Sequence, residues 1–178
     1  MKFVAISGSL RKASLNTALL REAAKLTPEG VSMDIYTLEG IPLLEPDLLE
    51  NGFPEAVNNL ALAVKQADAL VLASPEFNYS VTASMKNIID WLSIHPDAPL
   101  RNKAVSMMSA SPSGLGGARA QYHLRQMMIY PGAKVVNGPE VMIGNAFEHF
   151  TEEGKLTNDT SKDLIKQQLE ALKALAAC

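Results

Sequence analysis

The sequence has a single cysteine and no long apolar run, and both shortages limit what the protein can be. Cys178 is the only cysteine among 178 residues, so no disulfide can form within the chain, and we expect a reducing, cytoplasmic environment. The longest apolar runs have the length of a strand, and Met1 and Lys2 lead directly into one. We therefore expect neither a membrane span nor a secretion signal.

The chain also has no large excess of charge of one sign, and its histidines are not spaced like metal ligands. The net charge is −3, and the Lys and Arg residues are scattered, so we predict no nucleic-acid partner. His95, His123 and His149 have no metal-ligand spacing with cysteines or carboxylates, which predicts structural roles and no metal site. No Gly-x-Ser-x-Gly segment occurs, and this absence disfavours hydrolase chemistry.

Strand-length apolar runs alternate with helical patterns along the whole chain. The predicted strands are Lys2 to Ser7, Ser32 to Thr37, Ala69 to Ser74, Lys103 to Ser109, and a last one between Lys134 and Ile143. The predicted helices are Asn16 to Leu26, Pro54 to Ala67, Ala83 to Leu92, Gly117 to Tyr130, and Ser161 to Ala177. We expect a capping box at Thr160 to Asp163 to start the last helix. The alternation predicts one α/β domain over 1–178, with a parallel sheet between two layers of helices.

The segment after the third predicted strand is the most informative one. Pro75 ends that strand because proline has no N–H to donate. The residues that follow are Glu76, Phe77, Asn78, Tyr79 and Ser80. They place two aromatic rings, a carboxylate and an amide at the carboxyl end of a strand, where open α/β sheets bind ligands. We expect a planar cofactor here.

The loop after the first strand is rich in anion-binding groups. Its polar side chains are those of Ser9, Arg11, Ser14, Asn16 and Thr17. With the N–H groups of a helix N-terminus, they predict a phosphate site. Gly8 is the only glycine there, so the loop matches neither a Walker A motif nor the dinucleotide motif, and a single phosphate is favoured. Ser and Asn at such positions are more commonly helix caps and turn formers, and this alternative stays open.

A third loop follows the fourth strand. It contains Ser111, Ser113, Gly114, Gly116 and Gly117, which let the backbone approach a ligand closely and offer hydroxyl and N–H groups. Three strand-to-helix loops are thus expected on one edge of the sheet. Five strands with a phosphate site in the first loop predict a three-layer α/β/α flavodoxin-like fold with strand order 2-1-3-4-5.

Three groups of residues resemble the NAD(P)H-dependent FMN reductases, most closely their bacterial quinone and chromate reductase branch. They are Gly8-Ser-Leu-Arg11 with Ser14 and Asn16, Pro75 to Ser80 with Lys86-Asn87 and Asp90-Trp91, and Gly116-Gly-Ala-Arg119 with Tyr122 to Arg125. The resemblance extends from about Lys2 to Gly144. The sequence departs from the family at Phe77, where Tyr is usual, and at Thr82 to Met85.

This resemblance implies a flavoenzyme with noncovalent FMN and NAD(P)H as co-substrate. The implied phosphate contacts are Ser9, Arg11, Asn16 and Thr17, and the implied ring contacts are Pro75 to Tyr79 and Ser111 to Gly117. It implies a small-molecule electron acceptor, with quinones first and flavins, azo compounds and chromate as further ones, reduced by ping-pong hydride transfer through flavin N5. It also implies a homodimer or homotetramer. No catalytic residue is assigned, because the cofactor carries the chemistry.

Two other functions stay open on the residues alone. The first is a non-enzymatic electron carrier of flavodoxin type, although such carriers are usually strongly acidic and this chain is not. The second is a simple nucleotide-binding module.

Trp91 is expected in the core or at an interface rather than against a cofactor. The helix from Ala118 to Tyr130, with Tyr122, Arg125 and Met128, is the expected subunit contact.

Overall fold

Parallel strands form one sheet at the centre of the computed structural model, which describes residues 1–178 apart from the side chain of Asn51. The strands are β1 (Lys2–Ser7), β2 (Ser32–Thr37), β3 (Ala69–Ala73), β4 (Ala104–Ala110), β5 (Lys134–Val135) and β6 (Val141–Ile143). Their order is β2-β1-β3-β4-β5, with β6 also paired to β4. The predicted α/β class and the order 2-1-3-4-5 are confirmed.

Helices cover both faces of this sheet. They are α1 (Leu15–Lys25), α2 (Glu55–Gln66), α3 (Ala83–Ile94), α4 (Ala118–Met127) and α5 (Asp159–Ala176). Side chains of α1 and α5 pack on one face, and those of α2, α3 and α4 pack on the other. Residues of β1 alternate between the two cores, with Phe3 and Ala5 in one and Val4 and Ile6 in the other. Burial on both faces explains why the central strands β1 and β3 are almost entirely apolar.

The edge beyond β4 differs from the prediction of one continuous last strand. It consists of β5 and β6, which pair with separate parts of β4. Gly138 and Pro139 lie between them, and Pro139 cannot donate a backbone hydrogen bond to the sheet. The strand is therefore interrupted at this point.

Side chains from both helical layers bind the carbonyl groups around the interruption. Gln168 Nε2 on α5 donates to the carbonyl oxygens of Met107 (3.0 Å) and Pro139 (2.9 Å). On the opposite face, Gln121 Nε2 donates to the carbonyl of Val141 at 2.8 Å. These bonds satisfy backbone groups that an unbroken strand would have paired.

The start of α5 also differs from the prediction. Asn158 is its N-cap, and the Asn158 Oδ1 atom accepts the N–H of Ser161 at 2.8 Å. The predicted capping box at Thr160 to Asp163 is wrong, because Asn is itself a strong N-cap and starts the helix two residues earlier. At 18 residues α5 is the longest of the helices, and none of the described helices combines the length and apolar character needed to cross a membrane.

Candidate functional site

A cavity of about 250 Å³ lies where the loops after β1, β3 and β4 meet. The predicted site residues that line it are Ser9, Arg11, Ser14, Asn16, Pro75, Glu76, Phe77 and Ser111. The structure thus brings all three predicted loops to one site at the carboxyl ends of the strands, as expected for a parallel sheet. The other predicted residues, Thr17, Asn78, Tyr79, Ser113, Gly114, Gly116 and Gly117, do not line this cavity.

The first loop presents its anion-binding groups at one end of the cavity. Ser14 is the N-cap of α1, and its Oγ accepts the N–H of Thr17 at 3.2 Å. The N–H groups of Leu15 and Asn16 in the same turn have no acceptor among the described residues. The exposed Arg11 side chain lines the cavity. Unpaired N–H groups at a helix N-terminus, together with a guanidinium group, favour a bound anion.

The side chains of two predicted phosphate ligands already form hydrogen bonds within the protein. Asn16 Nδ2 donates to the carbonyl of Ala110 at 2.9 Å, and its Oδ1 accepts the Ala110 N–H at 3.1 Å. The hydroxyl groups of Thr17 and Ser7 lie 2.7 Å apart and are buried. These side chains hold the first loop against the sheet, which is neither the phosphate contact nor the helix-cap role that the sequence suggested. Their contact with a phosphate stays a prediction.

The second loop turns back on itself within four residues. Phe77 and Ser80 exchange two backbone hydrogen bonds of 2.9 Å, and Asn78 and Tyr79 between them have φ values of 48° and 63°. This is the backbone of a two-residue hairpin turn, which normally favours Asn and Gly. A tyrosine in this conformation costs about 1–2 kcal/mol, and such strain is concentrated at functional sites. The turn leaves Phe77 63% exposed at the cavity and Tyr79 65% exposed beside it.

Glu76 connects the second loop to α4. Its carboxylate accepts the N–H groups of Arg119 (3.0 Å) and Ala120 (3.3 Å) in the first turn of α4. The Arg119 guanidinium also lies 4.1 Å from the centroid of the Tyr79 ring. A carboxylate at a helix N-terminus is stabilised by the helix dipole. Glu76 therefore fixes the position of the turn that carries Phe77 and Tyr79.

The glycines of the third loop are required for packing against the sheet. Gly116 has φ +61°, and a Cβ atom there would lie 2.6 Å from the backbone of Met142. Gly117 has φ +88°, and its Cβ atom would lie 2.8 Å from Ser109 Oγ. Only glycine fits such positions. The glycines therefore let the loop backbone approach β4 and β6 rather than a ligand. Of the residues predicted as ligands in this loop, Ser111 lines the cavity.

Phe147 lines the cavity and was missed by the sequence analysis. It lies on a 3₁₀ turn, Ala146–Glu148, that follows β6, and its side chain is 68% exposed. The sequence analysis assigned no role to the segment after Asn145. A signal was present, because the carboxyl end of the last strand must reach the same edge as the other loops.

His95, His123 and Trp91 each have a hydrogen-bond partner within the protein. His95 is buried with its Nε2 atom 3.0 Å from Asn58 Oδ1, and His123 Nδ1 lies 3.0 Å from Ser80 Oγ. Trp91 is fully buried and its Nε1 atom donates to a backbone carbonyl at 2.9 Å, which confirms its predicted core position. Among the described side chains, no group of three or more His, Cys, Asp or Glu could hold a metal ion.

The cavity is lined by two chemically different kinds of group. Arg11 and the free N–H groups of α1 are anion-binding, whereas Pro75, Phe77 and Phe147 are apolar. The first kind suits a phosphate, and the second suits a flat aromatic ring. The residues present therefore fit a phosphorylated planar cofactor such as FMN.

Comparisons with known proteins agree with this chemistry. The family model described as NADPH-dependent FMN reductase matches residues 1–148. An NAD(P)H-dependent FMN reductase of Pseudomonas aeruginosa is 44% identical over 172 residues, which are 97% of this chain and 93% of that protein. A quinone reductase of Escherichia coli is 43% identical over 146 residues, covering 81% of this chain and 78% of that protein. Among solved structures, a flavoenzyme NAD(P)H:(acceptor) oxidoreductase from Paracoccus denitrificans matches with a TM-score of 0.89 and 25% identity, over 99% of this chain and 97% of that one.

Proposed function

Because the chain belongs to the NADPH-dependent FMN reductase family, we propose that it uses NAD(P)H to reduce quinones and other small acceptors at the cavity described above. FMN is its cofactor and NAD(P)H its co-substrate, so the protein is an oxidoreductase rather than an electron carrier. The observation that carries the proposal is one cavity at the carboxyl edge of the sheet that is lined by a cation, free N–H groups and aromatic side chains.

The phosphate of FMN is held by Arg11, by the hydroxyl of Ser9, and by the free N–H groups of Leu15 and Asn16. A charge-assisted hydrogen bond of this type is about twice as strong as a neutral one. Phe77 and Phe147 offer exposed apolar surface against which the flavin ring can pack. Glu76 holds the Phe77 turn against α4, so that its position is fixed before any substrate binds.

When held in this cavity, FMN would supply the redox chemistry that links NAD(P)H to the acceptor. The protein contributes orientation and a partly dry cavity, which lower the entropic cost of bringing planar reactants together. The relatives named for quinones support a quinone as acceptor. We assign no acid or base, because the side chains at the cavity are placed to bind rather than to transfer protons.

We also propose that the protein is a homodimer or homotetramer in the cytoplasm. Exposed apolar side chains surround α4, including Leu115, Tyr122 and Tyr130. Tyr122 supports the expected contact through α4, whereas Met128 is buried in the core and does not contribute to that surface. The exposed thiol of Cys178 supports a reducing environment.

Steady-state kinetics with NADPH and a water-soluble benzoquinone tests the proposed function. We expect the protein stripped of FMN to be inactive and activity to return when FMN is added. Because one cavity mouth serves both substrates, double-reciprocal plots at several quinone concentrations should be parallel. Intersecting lines would contradict the claim that both substrates bind through the same opening of the cavity. Failure of NADH and NADPH to support quinone reduction by the FMN-loaded protein would contradict the function.

A further inference from the structure

Three cations cluster beside the FMN cavity. Arg11 and Lys12 lie in the first loop and Arg21 lies on the exposed side of α1. All three line two further cavities of about 440 and 300 Å³. Among the described residues none of the three takes part in an ion pair. Unpaired cations that converge on open space indicate an anionic ligand.

The single phosphate of FMN does not account for all three of these cationic side chains. Arg11 lines the FMN cavity, but Lys12 and Arg21 do not. These two side chains face only the neighbouring cavities. They are therefore free for a second phosphate.

The 440 Å³ cavity adjoins the FMN cavity directly. The two share Arg11, Ala13, Ser14, Leu15 and Phe147. A ligand whose reactive ring lies at the FMN cavity can therefore extend into this one. Its volume is within the range of small-molecule sites.

The walls of the 440 Å³ cavity suit an aromatic heterocycle that carries a phosphate. Leu15, Ala18, Phe147 and Phe150 form an apolar wall, and Arg21 with its neighbouring cations forms a charged one. Inorganic phosphate would use only the charged wall. An adenosine phosphate would use both.

Two carboxylates also lie at this cavity, and one of them has its own local partner. Glu152 and Glu153 are on the segment after Phe150. The Thr151 hydroxyl bonds the Glu153 carboxylate and holds its pKa below the usual range, so Glu153 stays ionised at neutral pH. These charges repel a phosphate, so a phosphate bound in this cavity must be held by its cations.

We propose that Lys12 and Arg21 bind the 2′-phosphate of NADPH in the 440 Å³ cavity and so make the enzyme prefer NADPH to NADH. This assignment rests on the proposed function. NADH has a 2′-hydroxyl at that position, so the two cations give it no charge-assisted bond. Discrimination between the two nucleotides is the direct consequence.

The variant Arg21→Ala tests this in the FMN-loaded protein. We expect the ratio of kcat/KM for NADPH to kcat/KM for NADH to fall at least about tenfold, the effect of losing one charged hydrogen bond. Lys12→Ala should lower the same ratio, and Arg21→Lys should retain most of it. Arg101→Ala is the matched control, because Arg101 is an exposed arginine that lines a separate cavity near Tyr130.

A binding measurement separates this site from the catalytic cycle. Calorimetric titration of the FMN-loaded protein with adenosine 2′-monophosphate should give tighter binding than adenosine, and Arg21→Ala should remove the difference. A wild-type protein that oxidises neither nucleotide would defeat the proposed function. An active wild type that prefers NADH, or whose nucleotide ratio is unchanged in both Lys12→Ala and Arg21→Ala, would overturn this inference alone.

Discussion

Arg11 combines exposure, charge and position in a way that no other residue of the FMN cavity does. It lies in the loop before α1 and lines the same cavity as Leu15 and Asn16, whose N–H groups have no acceptor among the described residues. An anion bound there gains both the guanidinium group and the helix dipole. Arg11 is therefore the side chain whose removal should affect cofactor binding most.

We expect Arg11→Ala to weaken FMN binding by about 10- to 100-fold, which corresponds to about 1.5–3 kcal/mol for a hydrogen bond to a charged group. The protein should remain folded because Arg11 is exposed. Titration of the apoprotein with FMN, followed by flavin fluorescence, measures this affinity, and Arg101→Ala is the control. Equal FMN affinity in the Arg11 variant and the wild type would remove Arg11 from the site.

At the level of single residues, the sequence predicted the right loops but not every side-chain role. Arg11 and Phe77 lie at the cavity as expected. The Asn16 amide instead bonds Ala110, a residue 94 positions away. Local sequence cannot identify such a partner, because the pairing depends on how β4 is placed beside α1.

Among the secondary-structure elements, the interrupted edge strand is the one that depends most on distant residues. The run from Lys134 to Ile143 has the composition of a strand, and its two ends do pair with β4. The middle does not, and Gln168 from α5 binds the carbonyl groups of Met107 and Pro139 in its place. The five-strand pattern was predictable because each run is apolar and short. Gly138 and Pro139 signal the interruption in the sequence. The donor for the freed carbonyl groups was not predictable, because it is a glutamine in another layer.

We expect Gln168→Met to lower the free energy of unfolding by about 1–3 kcal/mol. Methionine has a similar size but removes the donor to the buried Met107 carbonyl and to the partly buried Pro139 carbonyl. Urea denaturation followed by circular dichroism measures the change. Gln167→Met, one residue earlier on the exposed side of α5, should alter stability by no more than about 0.5 kcal/mol. Equal effects of the two substitutions would mean that these bonds do not stabilise the edge.

For the whole molecule, strand direction explains why the site could be located before its geometry was known. All strands are parallel, so every loop after a strand reaches the same edge of the sheet. That rule placed three loops together correctly. Applied to β6 as well, it would also have identified Phe147.

We expect the protein to be at least a homodimer in solution. Tyr122, Ile129 and Tyr130 are between 51% and 84% exposed on and after α4, and aromatic side chains are enriched at the centres of subunit interfaces. Light scattering at micromolar concentration should give at least twice the 19.2 kDa of one chain. A mass equal to a single chain would contradict the proposed assembly.

The most direct test of the central claim is the absorption spectrum of the FMN-loaded protein during anaerobic addition of NADPH. We expect bands of oxidised flavin that are bleached by about one equivalent of NADPH and restored by a benzoquinone. If the bands persist with both NADPH and NADH, the claim that this chain is an NAD(P)H-dependent flavoenzyme is contradicted.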